Sequence, residues 1–219
     1  VSSQFISGLL FALPLLNTDS TLTVTGKLES SAYIAMTENA LRRSGIEFAK
    51  NDNVYSIPGN QRYRLNEACT VEGDLSNAAF FLCTGALSDK GVTVKNIPEH
   101  TSQGDKKIID ILRSFGADVA VNGDSVAVKK GRLTACTVDA SEIPDLVPVV
   151  SVVAAAAEGD THIINAARVR LKESDRLMTT ATLLCSLGAS VEELPDGLII
   201  HGGRPLHGGT IDSFNDHRI

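Results

Sequence analysis

The chain has 219 residues, 43% of them apolar and 21% charged, with 20 Lys and Arg against 26 Asp and Glu. That composition suits a soluble globular protein with a substantial core, as one large domain or two modest ones. The net charge of -6 argues against a general nucleic-acid binder, but a few well-placed Arg and Lys still suffice for a small anionic ligand.

Taken in chain order, the pattern predicts an apolar helix over 5–16, a strand over 21–25, a polar loop, and an amphipathic helix over 33–44 that stops at Gly45. Glycine just past a helix end is the expected left-handed stop. A hairpin follows, 46–50 against 54–57 around Asn51-Asp52-Asn53, and then a strand over 68–71. The same order returns: apolar helix 78–87, strand 92–96, amphipathic helix 105–115, Gly116, and a hairpin of 119–121 against 126–128 around Asn122-Gly123-Asp124. It returns again from a strand at 136–138: apolar helix 146–157, strand 161–165, amphipathic helix 175–187, Gly188, and a hairpin of 191–194 against 198–200 around Pro195-Asp196-Gly197. Asn, Asp and Gly supply the positive φ angles of tight hairpins. Short helices with no polar face are expected to be buried on all sides. No apolar run reaches membrane-spanning length.

The landmarks repeat about 71 residues apart, as Gly45, Gly116 and Gly188, and as Asp74, Asp145 and Asp216. Such a period is too long for a leucine-rich or ankyrin solenoid. It defines an α/β unit of strand–helix–strand–helix–strand–strand, with buried helices and outer sheets arranged about a pseudo-threefold axis. By this count the chain is expected to open inside one unit and to stop early in a fourth. The four cysteines, Cys69, Cys83, Cys136 and Cys185, lack metal-ligand spacing and read as buried reduced thiols of a cytosolic protein.

Polar residues gather at two helix starts in each unit. The first starts carry Ser2-Ser3-Gln4, Glu72-Gly73-Asp74, Pro144-Asp145 and Asn215-Asp216-His217-Arg218. The second starts carry Ser30-Ser31-Ala32-Tyr33, Thr101 to Asp105, and Lys172 to Arg176. Helix N-termini attract phosphate and carboxylate, so converging starts point to a multiply anionic ligand. Ser76, Thr101 and Ser102 read as plain caps, and Asp74 as a cap or an inter-unit hydrogen bond. The run Arg168 to Arg176 differs, because it sets Lys, Glu and Arg side by side in a loop entering a helix. That mix binds anions and moves protons.

These motifs resemble the EPSP synthase branch of the enolpyruvyl transferase family, in family order and over the whole chain. The most specific is Arg170-x-Lys172-Glu173-Ser174-Asp175-Arg176. The resemblance implies an inside-out α/β barrel fold of βαβαββ units, here as two partial domains. Residues 1–71 would be the last unit of one domain, and 72–219 two units and the start of a third in the other. It implies transfer of the enolpyruvyl group of phosphoenolpyruvate to the 5-hydroxyl of shikimate 3-phosphate, in the cytoplasm or a plastid, without metal or cofactor. Asp145 is then expected to hold the attacking hydroxyl, with Lys172 as its partner and Glu173 as acid and base at the methylene carbon. How Asp145 and Glu173 divide proton transfer stays open. Ser2, Ser3 and Ser30 would bind the shikimate phosphate, with Gln4 and Tyr33 beside that substrate. Arg176 and Arg218 would clamp phosphoenolpyruvate, with His217 behind them. Arg168 stands where some members carry Asn. Other family groups fall outside this chain, so alone it is expected to have no turnover and to self-associate through exposed apolar surface. The alternatives are a UDP-N-acetylglucosamine enolpyruvyl transferase and a non-catalytic binding or structural module.

Overall fold

The structure, a computed structural model, describes residues 3–26, 31–65, 68 and 70–219. The chain forms two compact units, one of residues 1–71 with 102–104, the other of 72–101 with 105–219.

In the first unit, helix α1 (Ser3–Ala12) runs into a 3-10 turn at Leu13–Leu15, followed by β1 (Ser20–Thr23), α2 (Ser31–Arg43), β2 (Ala49–Asn51) and β3 (Val54–Ile57). The strands form an antiparallel sheet in the order β1-β3-β2. Ile6 and Leu10 of α1 pack with Ile34 and Leu41 of α2 and with Tyr55 and Ile57 of β3. Ser7 Oγ and Thr37 Oγ1, 2.7 Å apart, join the two helices by a hydrogen bond. The helix α1 departs from the expectation of burial on all sides: Phe5 is 71% exposed, and Leu9, Phe11, Leu15 and Leu16 also face out. Among the described residues of this unit, one other α-helix and one sheet are available to cover it.

The second unit holds α3 (Leu75–Leu87), β4 (Val92–Val94), α4 (Lys107–Ser114), β5 (Asp118–Asn122) and β6 (Ser125–Lys129). These are followed by β7 (Thr137–Asp139), α5 (Val147–Ala156), β8 (Asp160–Ile164), α6 (Arg176–Ser186), β9 (Ser190–Leu194) and β10 (Gly197–His201). One sheet runs β4-β6-β5 and is antiparallel; the other runs β7-β8-β10-β9, with β7 parallel to β8. The crossover between that parallel pair is α5, whose residues are almost all buried. Its apolar circumference fits, since α3, α6, β8 and β10 all pack on it. The helix α4 shows the other pattern, with Ile108, Ile109 and Leu112 buried and Asp110 and Arg113 outside. Alternation in β6 turns Val126 and Val128 into the core. Full burial of such side chains contributes roughly 1.5–3 kcal/mol each.

The order from β7 to β10 is the complete strand–helix–strand–helix–strand–strand unit read from the sequence. All three stop glycines take positive φ: 73° at Gly45, 92° at Gly116 and 95° at Gly188.

Three further expectations change. Among 68–71, the described residues Ala68, Thr70 and Val71 form no strand; Val71 is 82% exposed and gains little from a pleated, half-buried surface. The first two hairpins do use positive φ, at Asp52 and Gly123. The third turns through Pro195 and Asp196 with none, because proline fixes a negative φ. Finally, not every thiol is buried: Cys83 is, and burial pushes it up to about 12, but Cys136 is half-buried and Cys185 lies on the open side of α6. Cys69 lies outside the described residues.

Candidate functional site

The first residues of α6 and the loop before them carry the densest ionic network of the second unit. Asp175 caps α6 by accepting from the amides of Leu177 and Met178. That fixes where the helix begins and puts Arg176 at its first position, pointing inward and 1% exposed. A guanidinium taken this far from water needs compensation by carboxylates and hydrogen bonds. Arg176 has three carboxylates. Its Nε donates to Asp216 Oδ2 at 2.8 Å and its Nη2 to Asp216 Oδ1 at 3.1 Å. Its Nη1 donates to Asp145 Oδ1 at 2.8 Å, and Nη2 also to Glu173 Oε2 at 2.6 Å. Lys172 Nζ approaches the same Asp145 oxygen at 3.1 Å.

The electrostatics follow from this geometry. Burial pushes the Asp145 carboxyl upward, but Lys172, Arg176 and Arg218 beside it hold it below the usual carboxylate value. Burial works the same way on Asp216. There the hydrogen bonds from Arg176, the Arg218 amide and Ser174 Oγ prevail, and its pKa falls to about 2. Both groups are therefore anions at neutral pH. Glu173 has half its side chain exposed and Lys172 about a quarter, so both can meet a ligand from solvent.

Arg218 lies beyond Asp216. Its Nη1 donates to Asn77 Oδ1 at 3.4 Å, and its buried Nε has no hydrogen-bond partner among the described residues. Buried donors are rarely left unpaired, so this nitrogen is a candidate contact for an anion. His217 is largely exposed and only approaches Asp216, at 3.9 Å. Arg168 is half-buried in the 3-10 turn Ala167–Leu171.

The structure thus brings Asp145, Lys172, Glu173 and Arg176 together and places Arg218 near by. Ser3 is buried at the first position of α1, Gln4 is exposed next to it, and Tyr33 is half-buried in α2, its carbonyl accepting from Thr37 Oγ1. Ser2 and Ser30 lie outside the described residues. Asp74 is a cap, accepting from the amides of Ser76 and Asn77. Ser76 is not: its hydroxyl bonds the buried Asp105 carboxyl instead. Burial raises the pKa of Asp105, the charge of Asp145 adds to the rise, and Ser76 and Arg218 oppose it.

Asp216, Asp105 and Arg170 all stand in sequence motifs that assign them no role of their own. The signal for Asp216 was its repeat spacing from Asp145, since a slot that holds a functional carboxylate in one copy deserved the same question in the next. Among the described residues, no group of His, Cys, Asp and Glu side chains could hold a metal ion, and no helix is long and apolar enough to cross a membrane.

Compared with known proteins, the sequence pattern of the EPSP synthase (3-phosphoshikimate 1-carboxyvinyltransferase) family matches residues 1–219. The chain is 48% identical to the 3-phosphoshikimate 1-carboxyvinyltransferase of Clostridium acetobutylicum, covering all of this chain and 50% of that one. It is 41% identical to the enzyme of that name from Methanocaldococcus jannaschii, covering all of this chain and 51% of the relative. Among solved structures, EPSP synthase from Acinetobacter baumannii superposes with a TM-score of 0.82 at 27% identity, over the whole chain and 52% of its own. The enolpyruvyl transferase NikO from Streptomyces tendae, at 20% identity, a TM-score of 0.67 and 92% and 48% coverage, shares the fold. The chain spans about half the length of the curated relatives it matches.

Proposed function

The chain belongs to the EPSP synthase family, and on that premise we propose that it serves enolpyruvyl transfer from phosphoenolpyruvate to the 5-hydroxyl of shikimate 3-phosphate. The observation that carries this reading is the single network in which Arg176 holds Asp145 and Glu173 while Lys172 touches Asp145.

In this reading Asp145, kept anionic by its cationic neighbours, accepts a hydrogen bond from the attacking hydroxyl and takes its proton. Lys172 faces the same oxygen and stabilises the charge that develops there. The hydroxyl oxygen bonds to the substituted carbon of phosphoenolpyruvate while Glu173 protonates the methylene carbon. Elimination then breaks the carbon–oxygen bond to phosphate, Glu173 takes a proton back from the methyl carbon to restore the double bond, and the proton held by Asp145 leaves with the phosphate. Glu173 suits this exchange because it is half exposed, yet anchored at 2.6 Å. Arg218, with its unpartnered Nε, is the cation with a donor ready for substrate phosphate or carboxylate. Arg176 shares that duty when a substrate carboxylate takes over from one of its protein carboxylates. By the family resemblance, Ser2, Ser3 and Ser30 would bind the shikimate phosphate with Gln4 and Tyr33 beside that substrate, and Arg168 and His217 would also serve substrate binding. Residues 1–71 and 72–219 would then be parts of the two domains of such an enzyme.

The test is phosphate release from the two substrates by a full-length family enzyme into which this chain is built. Turnover is expected, and Asp145→Asn and Glu173→Gln should each reduce it by at least about 10²-fold. Thermal shift of the chain with shikimate 3-phosphate against UDP-N-acetylglucosamine checks the substrate class. A shift only with the UDP-sugar would overturn the reading.

A further inference from the structure

Lys172 and Glu173 sit on a loop, and loops place chemistry only when something fixes them. The guanidinium of Arg170 makes the fixing contacts. Its Nε donates to the Pro195 carbonyl at 3.0 Å and its Nη2 to the Leu194 carbonyl at 2.7 Å. Its Nη1 donates both to Asp175 Oδ2 at 2.8 Å and to Glu193 Oε1 at 2.7 Å. Four of the five N–H groups of an arginine fork are thereby used.

These partners define a small piece of architecture. Arg170 is near the end of the 3-10 turn and Asp175 is the cap of α6. The bond between them closes the two feet of an arch whose crown is Leu171-Lys172-Glu173-Ser174. The remaining three bonds pin that closed arch to the end of β9 and its turn. Neither function nor capping explains this: Asp175 caps α6 through its other oxygen, Oδ1, and Arg170 faces none of the carboxylates bound to Arg176. Leu171, 86% exposed at the crown, supplies no apolar anchor, so the polar bonds carry the restraint.

We propose that Arg170 is a positioning residue, which closes and pins the 170–175 arch so that Lys172 reaches Asp145 and Glu173 reaches Arg176. The role of the arch in turnover rests on the reading of Lys172 and Glu173 given above; its geometry does not. Lysine cannot replace this residue, because a point charge on a flexible stem does not serve two backbone carbonyls and two carboxylates at once.

Amide hydrogen exchange on this chain tests the geometry. Arg170→Ala should speed exchange at 171–175 by at least about ten-fold, with α5 and β8 unchanged. The Asp145 carboxyl, followed by carbon-13 NMR, should titrate closer to the ordinary carboxylate range as Lys172 withdraws. Should the alanine variant fail to fold, Arg170→Lys carries the same expectations. Unchanged exchange and an unmoved Asp145 in a folded variant would overturn the proposal. In the full-length enzyme, kcat should fall by about 10²-fold while both KM values move less than about three-fold. A lower melting temperature with unchanged kcat would mark Arg170 as merely structural and also overturn it. Absence of turnover in the unsubstituted enzyme would instead overturn the functional reading, with exchange and titration still deciding the arch.

Discussion

Asp216 answers a charge problem created by Arg176. Both of its oxygens are used by that guanidinium, and its side chain has no solvent exposure. Asp216→Ala should therefore destabilise the second unit by about 1–3 kcal/mol, since it leaves the buried Nε of Arg176 without an acceptor while Asp145 and Glu173 still balance the charge; urea unfolding would measure it. The pH dependence has a definite sign. The folded pKa of about 2 lies below the ordinary value of 3.8, so this stabilisation is complete above about pH 4 and is lost as pH falls toward 2. Asp105 runs the other way. Its folded pKa is raised by burial, so its contribution is fully present below the ordinary carboxylate value and declines as pH rises through the folded value. Asp105→Asn keeps an acceptor for Ser76 and should raise the melting temperature at pH 8, with the gain vanishing below about pH 4. A uniform effect across pH, seen by calorimetry, would contradict this. At this scale the sequence was legible where groups are neighbours in the chain, as Lys172, Glu173 and Arg176 are. Asp105 escaped because its partner Ser76 lies 29 residues away and only folding brings them together.

The elements were legible where periodicity and terminus chemistry agree. Gly45, Gly116 and Gly188 marked three helix ends that the positive φ angles bear out. Asp74 marked a start, and Asp74→Ala should cost about 1 kcal/mol through loss of the α3 cap, read as a lower denaturation midpoint with an unchanged slope. What failed were features decided by neighbours. Ala68 to Val71 has strand-like residues, but β-propensity follows packing on a half-buried surface, which the exposed Val71 lacks. The third turn kept its place but shortened to Pro195-Asp196, since Gly197 pairs with Leu194, and its backbone conformation differed from the other two hairpins. The approach of α4 also differs, since a 3-10 turn at Gly104–Lys106 precedes the α-helix expected to begin at Asp105.

For the whole molecule, burial is unequal between the repeated helices. All three apolar helices read alike in sequence, yet α5 is enclosed and α1 shows Phe5, Leu9 and Phe11 to solvent. Periodicity reports that a face is apolar but not which surface covers it. Apolar patches of this kind drive association, so the chain should sediment as concentration-dependent oligomers in analytical ultracentrifugation, and Phe5→Ser with Leu9→Ser should shift it toward monomer. A monomer at all concentrations before substitution would refute this. Time adds a further dimension. Arg176 and Asp216 stand 40 residues apart in sequence, so during synthesis at about 5–20 residues per second the guanidinium waits about 2–8 s for the last of its three carboxylates. Until the later segment emerges, Arg176 has only Asp145 and Glu173, and lacks the carboxylate that binds it through both oxygens. On the ribosome, the ionic centre is consequently assembled late, after the sheets and the α5 crossover that surround it have already been made.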